Sequence, residues 1–396
     1  MKYLLPILAG AGVSVAASCS GTTTIESSGD ATALASCSTY SGSVVVATAV
    51  AGDIALDSVQ SITGSLTCEG ATNLTSLSAD SLTEIGKTFQ LNGLTILSTC
   101  SFPVLTSVDE INWEALPALQ ELTFTSGITT VSSVLITNTQ LNDLDGIDLE
   151  TVDVLNINNN PYLTSVDMQL GNVSQSLNVE ANGRNLKVSF PNLEWAYNMT
   201  FRNCSEVLLP SLASVNGSLG FYENYFETFS GPNLTSTGGS LAFDNNPDLT
   251  NISLPALTTI GGGYQIANNS DLKTIDGFKK LKTVAGALDF SGDFNNVSLP
   301  ALSDVRGGFN MQSSGTVDCS TFKALKTDGT IKGTYTCKSK TKNPETADGS
   351  SGSSSSSGSS SSSSSSSSAG AATHYEANLP VWTISSILAG MISLLL

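Results

Sequence analysis

Histidine is all but missing: the one imidazole among 396 residues is His374. The C-terminal pattern described below puts that residue in a segment removed on maturation. A chain without imidazole has no Ser-His-Asp or Cys-His nucleophile and no His-ligated metal site, which leaves carboxylate pairs as the catalytic option. Basic residues are scarce as well, 16 Lys and Arg against 34 Asp and Glu, for a formal charge of −18. A surface of that sign repels phosphate backbones and anionic headgroups, so nucleic acid is excluded as a partner. No cofactor is implied.

What is present begins with the two ends. Met1-Lys2, the apolar stretch Leu4 to Val15 and the small-residue pattern Val15-Ala16-Ala17 read as a signal peptide over residues 1–17, with a mature chain from Ser18. At the other end, serine broken only by Gly352 and Gly358 runs from Ser350 to Ser368. It is followed by Gly370-Ala371-Ala372, the spacer Thr373 to Pro380 and the uncharged tail Val381 to Leu396. Small triplet, polar spacer and apolar tail make a glycosylphosphatidylinositol (GPI) signal over 370–396, with Gly370 as the lipid attachment site. The other reading is a transmembrane anchor, but the 16 tail residues would cover only about 24 Å of a hydrocarbon core of about 30 Å. These signals place the protein outside the cell, held by lipid to the outer leaflet of the plasma membrane or passed from there into a wall.

Seven cysteines in a secreted chain imply disulfides with a sulfur left over. Cys19 with Cys37 and Cys319 with Cys337 are each spaced by eighteen. Paired in that way they close loops worth about 3 kcal/mol each in the chain-entropy model. Cys68, Cys100 and Cys204 read as buried small hydrophobes, with one pair among them left open.

Between these pairs the chain repeats itself. Leu212, Leu234, Leu257, Leu281 and Leu302 follow one another at 22, 23, 24 and 21 residues. Each opens a Leu-x-x-(Val/Ile/Thr)-x-Gly phrase and is followed by a short alternating run such as Ser240-Leu241-Ala242-Phe243. Related phrases occur at Leu56 to Leu66, Leu82 to Leu91, Leu105 to Trp113 and Leu193 to Phe201. Alternation predicts strands with one buried face, and a rung of about 22 residues buries that face only by stacking. The fold expected is therefore all-β, a right-handed parallel β-solenoid of roughly fourteen rungs over residues 18–338. Asn158-Asn159-Asn160, Asn245-Asn246 and Asn268-Asn269 recur at equivalent corners, where stacked side-chain amides would form a ladder. Open solenoid ends need caps, and the segments 19–37 and 319–337 supply them, each with a short helix, Asp30 to Ser36 and Ser320 to Lys326. Residues 339–369 read as a disordered, Ser-rich stalk.

Nine Asn-x-Ser/Thr sequons mark N-glycosylation candidates: Asn73, Asn172, Asn198, Asn203, Asn216, Asn233, Asn251, Asn268 and Asn296. Their spread from Asn73 to Asn296 predicts few bare faces.

The phrases Glu110 to Leu119, Val154 to Leu163 and Gly261 to Phe278, with a cysteine pair at each end and Gly370-Ala371-Ala372 at the lipid site, resemble fungal GPI-anchored cell-wall organisation proteins. The repeat region of that family is similar to the L domains of insulin- and EGF-type receptors, so the solenoid reads as one run or as two L-domain-like halves. The resemblance implies a non-enzymatic glycoprotein of plasma membrane and wall, required for wall organisation, integrity and morphogenesis, with wall glucan or mannoprotein as its contacts. Two other readings stand beside it. In a carboxylate-based glycan-active enzyme, Asp143 and Asp145 would share a strand face and converge on a glycosidic bond or calcium. In a binding module for wall polysaccharide or a protein ligand, Trp113, Trp195 and Tyr197 would stack on sugar; that reading requires an exposed aromatic cluster unshielded by glycan.

Overall fold

A computed structural model describes residues 18–347. The signal peptide, the serine tract from Ser350 to Ser368 and the lipid site at Gly370 lie outside the described residues. Successive rungs pair through parallel strands into one 22-stranded sheet, flanked by four small parallel sheets of two or three strands. The architecture is the parallel β-solenoid that the leucine period predicts.

One rung shows how the sequence builds it. Ser214–Val215 forms a short strand, a glycine-containing turn follows, and Leu219–Tyr222 forms the second strand of the main sheet. The chain then turns a corner and returns through Thr228–Ser230 on the opposite side. Register between rungs is strict: Leu219 pairs with Leu241, Leu241 with Tyr264 and Tyr264 with Leu288, while Phe221, Phe243, Ile266 and Phe290 form the next inward column. Phe201, Phe221 and Phe243 stack with centroids 5.5 and 4.8 Å apart. Leu212, Leu234, Leu257, Leu281 and Leu302, the residues that set the period, are all buried. The turn glycines are equally constrained. A Cβ on Gly262 would lie 2.7 Å from the Gly239 carbonyl carbon, and one on Gly286 would lie 2.7 Å from that of Gly262, so only glycine lets these turns stack. Through the middle of the chain the two strand segments fuse, giving Ser107–Leu116, Ile147–Asn158 and Asn172–Glu180.

The corners carry an amide ladder whose geometry is finer than the sequence shows. Asn138, Asn159, Ala181, Asn203, Glu223, Asn245 and Asn268 adopt left-handed φ between 52° and 61°. The residue after each is buried: Thr139, Asn160, Asn182, Cys204, Asn224, Asn246 and Asn269. Asn224 N–H and Nδ2 both donate to Asn246 Oδ1 at 2.9 Å, and Asn246 N–H and Nδ2 donate to Asn269 Oδ1 at 2.8 and 3.0 Å. Each Nδ2 also reaches a carbonyl of the preceding rung, Phe221 O for Asn246. Asn160 and Asn182 repeat the pattern. Cys204 interrupts it, since its N–H donates to Asn224 Oδ1 while its sulfur replaces the oxygen that Asn182 would meet. Cys204→Asn restores that oxygen in nearly the same volume. We expect a gain of about 1 kcal/mol, read as a melting temperature about 2 °C higher.

Disulfides join Cys19 to Cys37 and Cys319 to Cys337, with Cα atoms 5.6 and 5.8 Å apart. Each loop contains a helix, Ser28–Leu34 capped by Ser27 and Cys319–Thr327 capped by Asp318; the first lies two residues earlier than expected because Ser27 and Asp30 make the N-terminal cap. Cys68, Cys100 and Cys204 are buried free thiols.

One boundary differs. Residues 339–347, expected to open the stalk, lie back against the body. Lys340 and Thr341 N–H donate to Gly315 O and Ser313 O. Farther on, Asn310 Nδ2 holds Glu345 O at 2.8 Å, Gln312 Oε1 accepts from Glu345 N–H, and Asp289 Oδ2 accepts from Ala347 N–H at 2.9 Å. Outward polar side chains on two adjacent strands grip an extended backbone, a long-range contact with no local sequence signature.

Candidate functional site

The carboxylates that could have formed a catalytic pair sit on a turn, not on a strand. Asp143 and Asp145 precede the strand Ile147–Asn158, and Asp145 N–H donates to Asp143 Oδ1 at 3.1 Å in a local turn. The Asp145 carboxyl is raised above its ordinary value, first by the neighbouring Asp143 charge, then by partial burial and Asp148. That shift reports crowding of like charges at the surface. No group of three or more His, Cys, Asp or Glu among the described residues is arranged to hold a metal ion.

The three aromatic candidates separate. Trp113 is buried in the core, edge-on to Phe89 at 5.5 Å and stacked on Phe124 at 5.9 Å, with no acceptor for its indole N–H. Trp195 and Tyr197 share the strand Trp195–Arg202; Trp195 is half-buried and Tyr197 is 49% exposed. Trp195 stands directly opposite Asn172 in the preceding rung, Tyr197 adjoins Asn198, and Gly217 N–H, beside Asn216, donates to Tyr197 O. Three sequon asparagines therefore surround this aromatic pair.

The other sequons are spread over both sides. Asn73, Asn251 and Asn296 are exposed at the starts of return strands, and Asn233 is exposed with Nδ2 donating to Pro210 O. Asn203 and Asn268 occupy left-handed corners; Asn203 is half-buried with Nδ2 3.3 Å from Glu223 O, and Asn268 is exposed.

Contrary to the expectation of few bare faces, a sequon-free band lies between Asn73 and Asn172. No sequon occurs from residue 74 to 171, and no Lys or Arg from 88 to 183, a stretch with eleven Asp and Glu. In a solenoid such a stretch stays together as consecutive rungs. Each ion pair among the described residues involves residue 180 or later, so the acids of this band before Glu180 have no cationic partner. The signal was present in the sequence as two coincident gaps. The buried thiols offer no reactivity, because burial raises Cys68 and Cys204 to about 12 and Cys100 higher still.

A family model described as GPI-anchored cell wall organization protein matches residues 1–35, and a BspA-type leucine-rich repeat model matches residues 184–293 in six copies. The chain is 45% identical over 355 residues to protein ecm33 of Aspergillus fumigatus, covering 89% of each. It is 43% identical over 351 residues to a cell surface GPI-anchored protein of Arthroderma benhamiae, covering 88% of this chain and 90% of that one. To cell wall protein ecm33 of Schizosaccharomyces pombe it is 32% identical over 250 residues, 62% of this chain and 59% of the relative. No solved structure matches.

Proposed function

The chain belongs to the Ecm33 family of GPI-anchored cell wall organization proteins, and from that premise we propose that it acts without catalysis, as a rigid cell-surface body that supports wall integrity and morphogenesis. Its place is the cell surface and wall, and its role is wall organisation. The observation that carries the non-catalytic reading is the turn holding Asp143 and Asp145, in which the Asp143 carboxylate accepts from the Asp145 backbone N–H and the two charges repel one another on the surface. Stacked rungs keep the sequon-free band in fixed shape and leave it open to neighbouring wall components. We place the lipid at Gly370, and the nine sequons stand as acceptor candidates.

Replacing Asp143 and Asp145 together with Asn tests the reading, because amides cannot exchange the catalytic proton. Growth under a wall-stressing dye should stay within about twofold of the unsubstituted protein at equal surface abundance. A variant that is displayed normally yet fails to support growth would put carboxylate catalysis ahead.

A further inference from the structure

The amide ladder stops at Asn269, and the stop leaves donors unanswered. Asn224 and Asn246 each give N–H and Nδ2 together to the Oδ1 of the next asparagine. Asn269 is 1% exposed and keeps its Nδ2 bond to Phe243 O at 2.9 Å. Among the described residues its N–H and its second Nδ2 proton have no acceptor. The next rung explains why. Gly292-Asp293 stands where a further asparagine would come, and Asp293 turns its carboxylate to Lys273 Nζ at 2.6 Å and Ser314 Oγ at 2.8 Å. Beside Asn269 lies an open pocket of about 320 Å³ lined by Asn268, Asn269, Ser291, Asp293, Ser314 and Pro344, the last supplied by the segment that returns over the sheet.

We propose that this pocket binds an N-acetylhexosamine residue, whose acetamido carbonyl stands in for the absent Oδ1 and accepts from Asn269. The volume is at the lower end for small-ligand sites, about 300 Å³, and fits one sugar rather than a long chain. An acetamide is the functional group that the ladder itself uses. Pro344 offers an apolar wall to the methyl group and ring face, and Ser291, Ser314 and Asp293 offer oxygens to ring hydroxyls. The ionised Asp293, held below its ordinary value by hydrogen bonds from Lys273 and Ser314, disfavours anionic sugars. Two sources supply the same chemistry. One is a glycan on Asn268, which lines the pocket and begins the sequon Asn268-Asn269-Ser270; the other is a free amino-sugar chain end in the wall.

Full-length protein purified from membranes in detergent is titrated with N,N′-diacetylchitobiose, and with cellobiose as the disaccharide lacking acetamides, by ligand-observed NMR. Ser270→Ala removes the sequon and leaves Asn268 at its left-handed corner; the hydroxyl it deletes donates to Pro247 O. Binding by both the unsubstituted protein and Ser270→Ala assigns the site to a free chain; binding by Ser270→Ala alone assigns it to the protein's own glycan. In the Ser270→Ala background, Asp293→Ala should weaken binding at least tenfold. Pro344→Ala, outside the rungs, should weaken it about threefold with unchanged melting. The proposal is overturned if neither form binds, if cellobiose binds as well as diacetylchitobiose, or if both substitutions leave affinity unchanged in folded protein.

Discussion

Leu257→Asp abolishes display of the protein at the cell surface while its message level is unchanged; that is the largest effect we expect from one substitution. Leu257 is fully buried in the column that continues through Leu234 and Leu281. A carboxylate there has no cation to meet and would be buried charged at several kcal/mol or protonated at a similar penalty. Total stability of a domain is only about 5–15 kcal/mol. Because each rung is held by its neighbours, the loss spreads to the rungs on either side. Counting surface-exposed protein on intact cells against total protein measures the outcome. Leu257→Met, which conserves volume at under about 1.5 kcal/mol, serves as the comparison. Normal display of the aspartate variant would mean that the leucine column is not the core.

Asn246→Ala is the second. Asn246 is fully buried, and its removal strips the acceptor from Asn224 N–H and Nδ2 and the donor from Phe221 O. Each orphaned buried group costs about 1–3 kcal/mol, so a loss of about 3 kcal/mol or more is expected, several times that of an exposed corner substitution such as Asn245→Ala. Equilibrium urea unfolding of the two variants side by side gives the difference. Equal destabilisation would show that the ladder contributes little beyond the turn itself.

The period, the inward columns and the capped ends could be read from the chain because they rest on residues repeated at fixed intervals: leucines every 21 to 24 positions and cysteines eighteen apart. Burial follows directly from such spacing. The ladder was only half legible. In Asn245-Asn246 and Asn268-Asn269 the first residue takes the left-handed corner and the second is buried, a division of labour that two identical letters cannot show. Where Glu223 or Ala181 takes the corner and Cys204 the ladder position, the pattern vanishes from the sequence and survives only in the backbone. The pocket beside Asn269 was illegible for a related reason, since it arises where the pattern fails and where Pro344, far along the chain, borders it. Trp113 and Tyr197 carried the same aromatic signal in sequence, and only packing assigns one to the core and the other to the surface.

The returning segment has a mechanical consequence. Any pull on the chain beyond Ala347 is received first by Asp289, Gln312 and Asn310, on the flank of the body, and not by the terminal disulfide loop. These contacts must yield before load passes to Lys340 and Thr341 and then to the strand Tyr335–Lys338. The attachment therefore works as a strain relief, in which a sacrificial polar seam gives way under tension and can re-form while the covalently closed end keeps its shape.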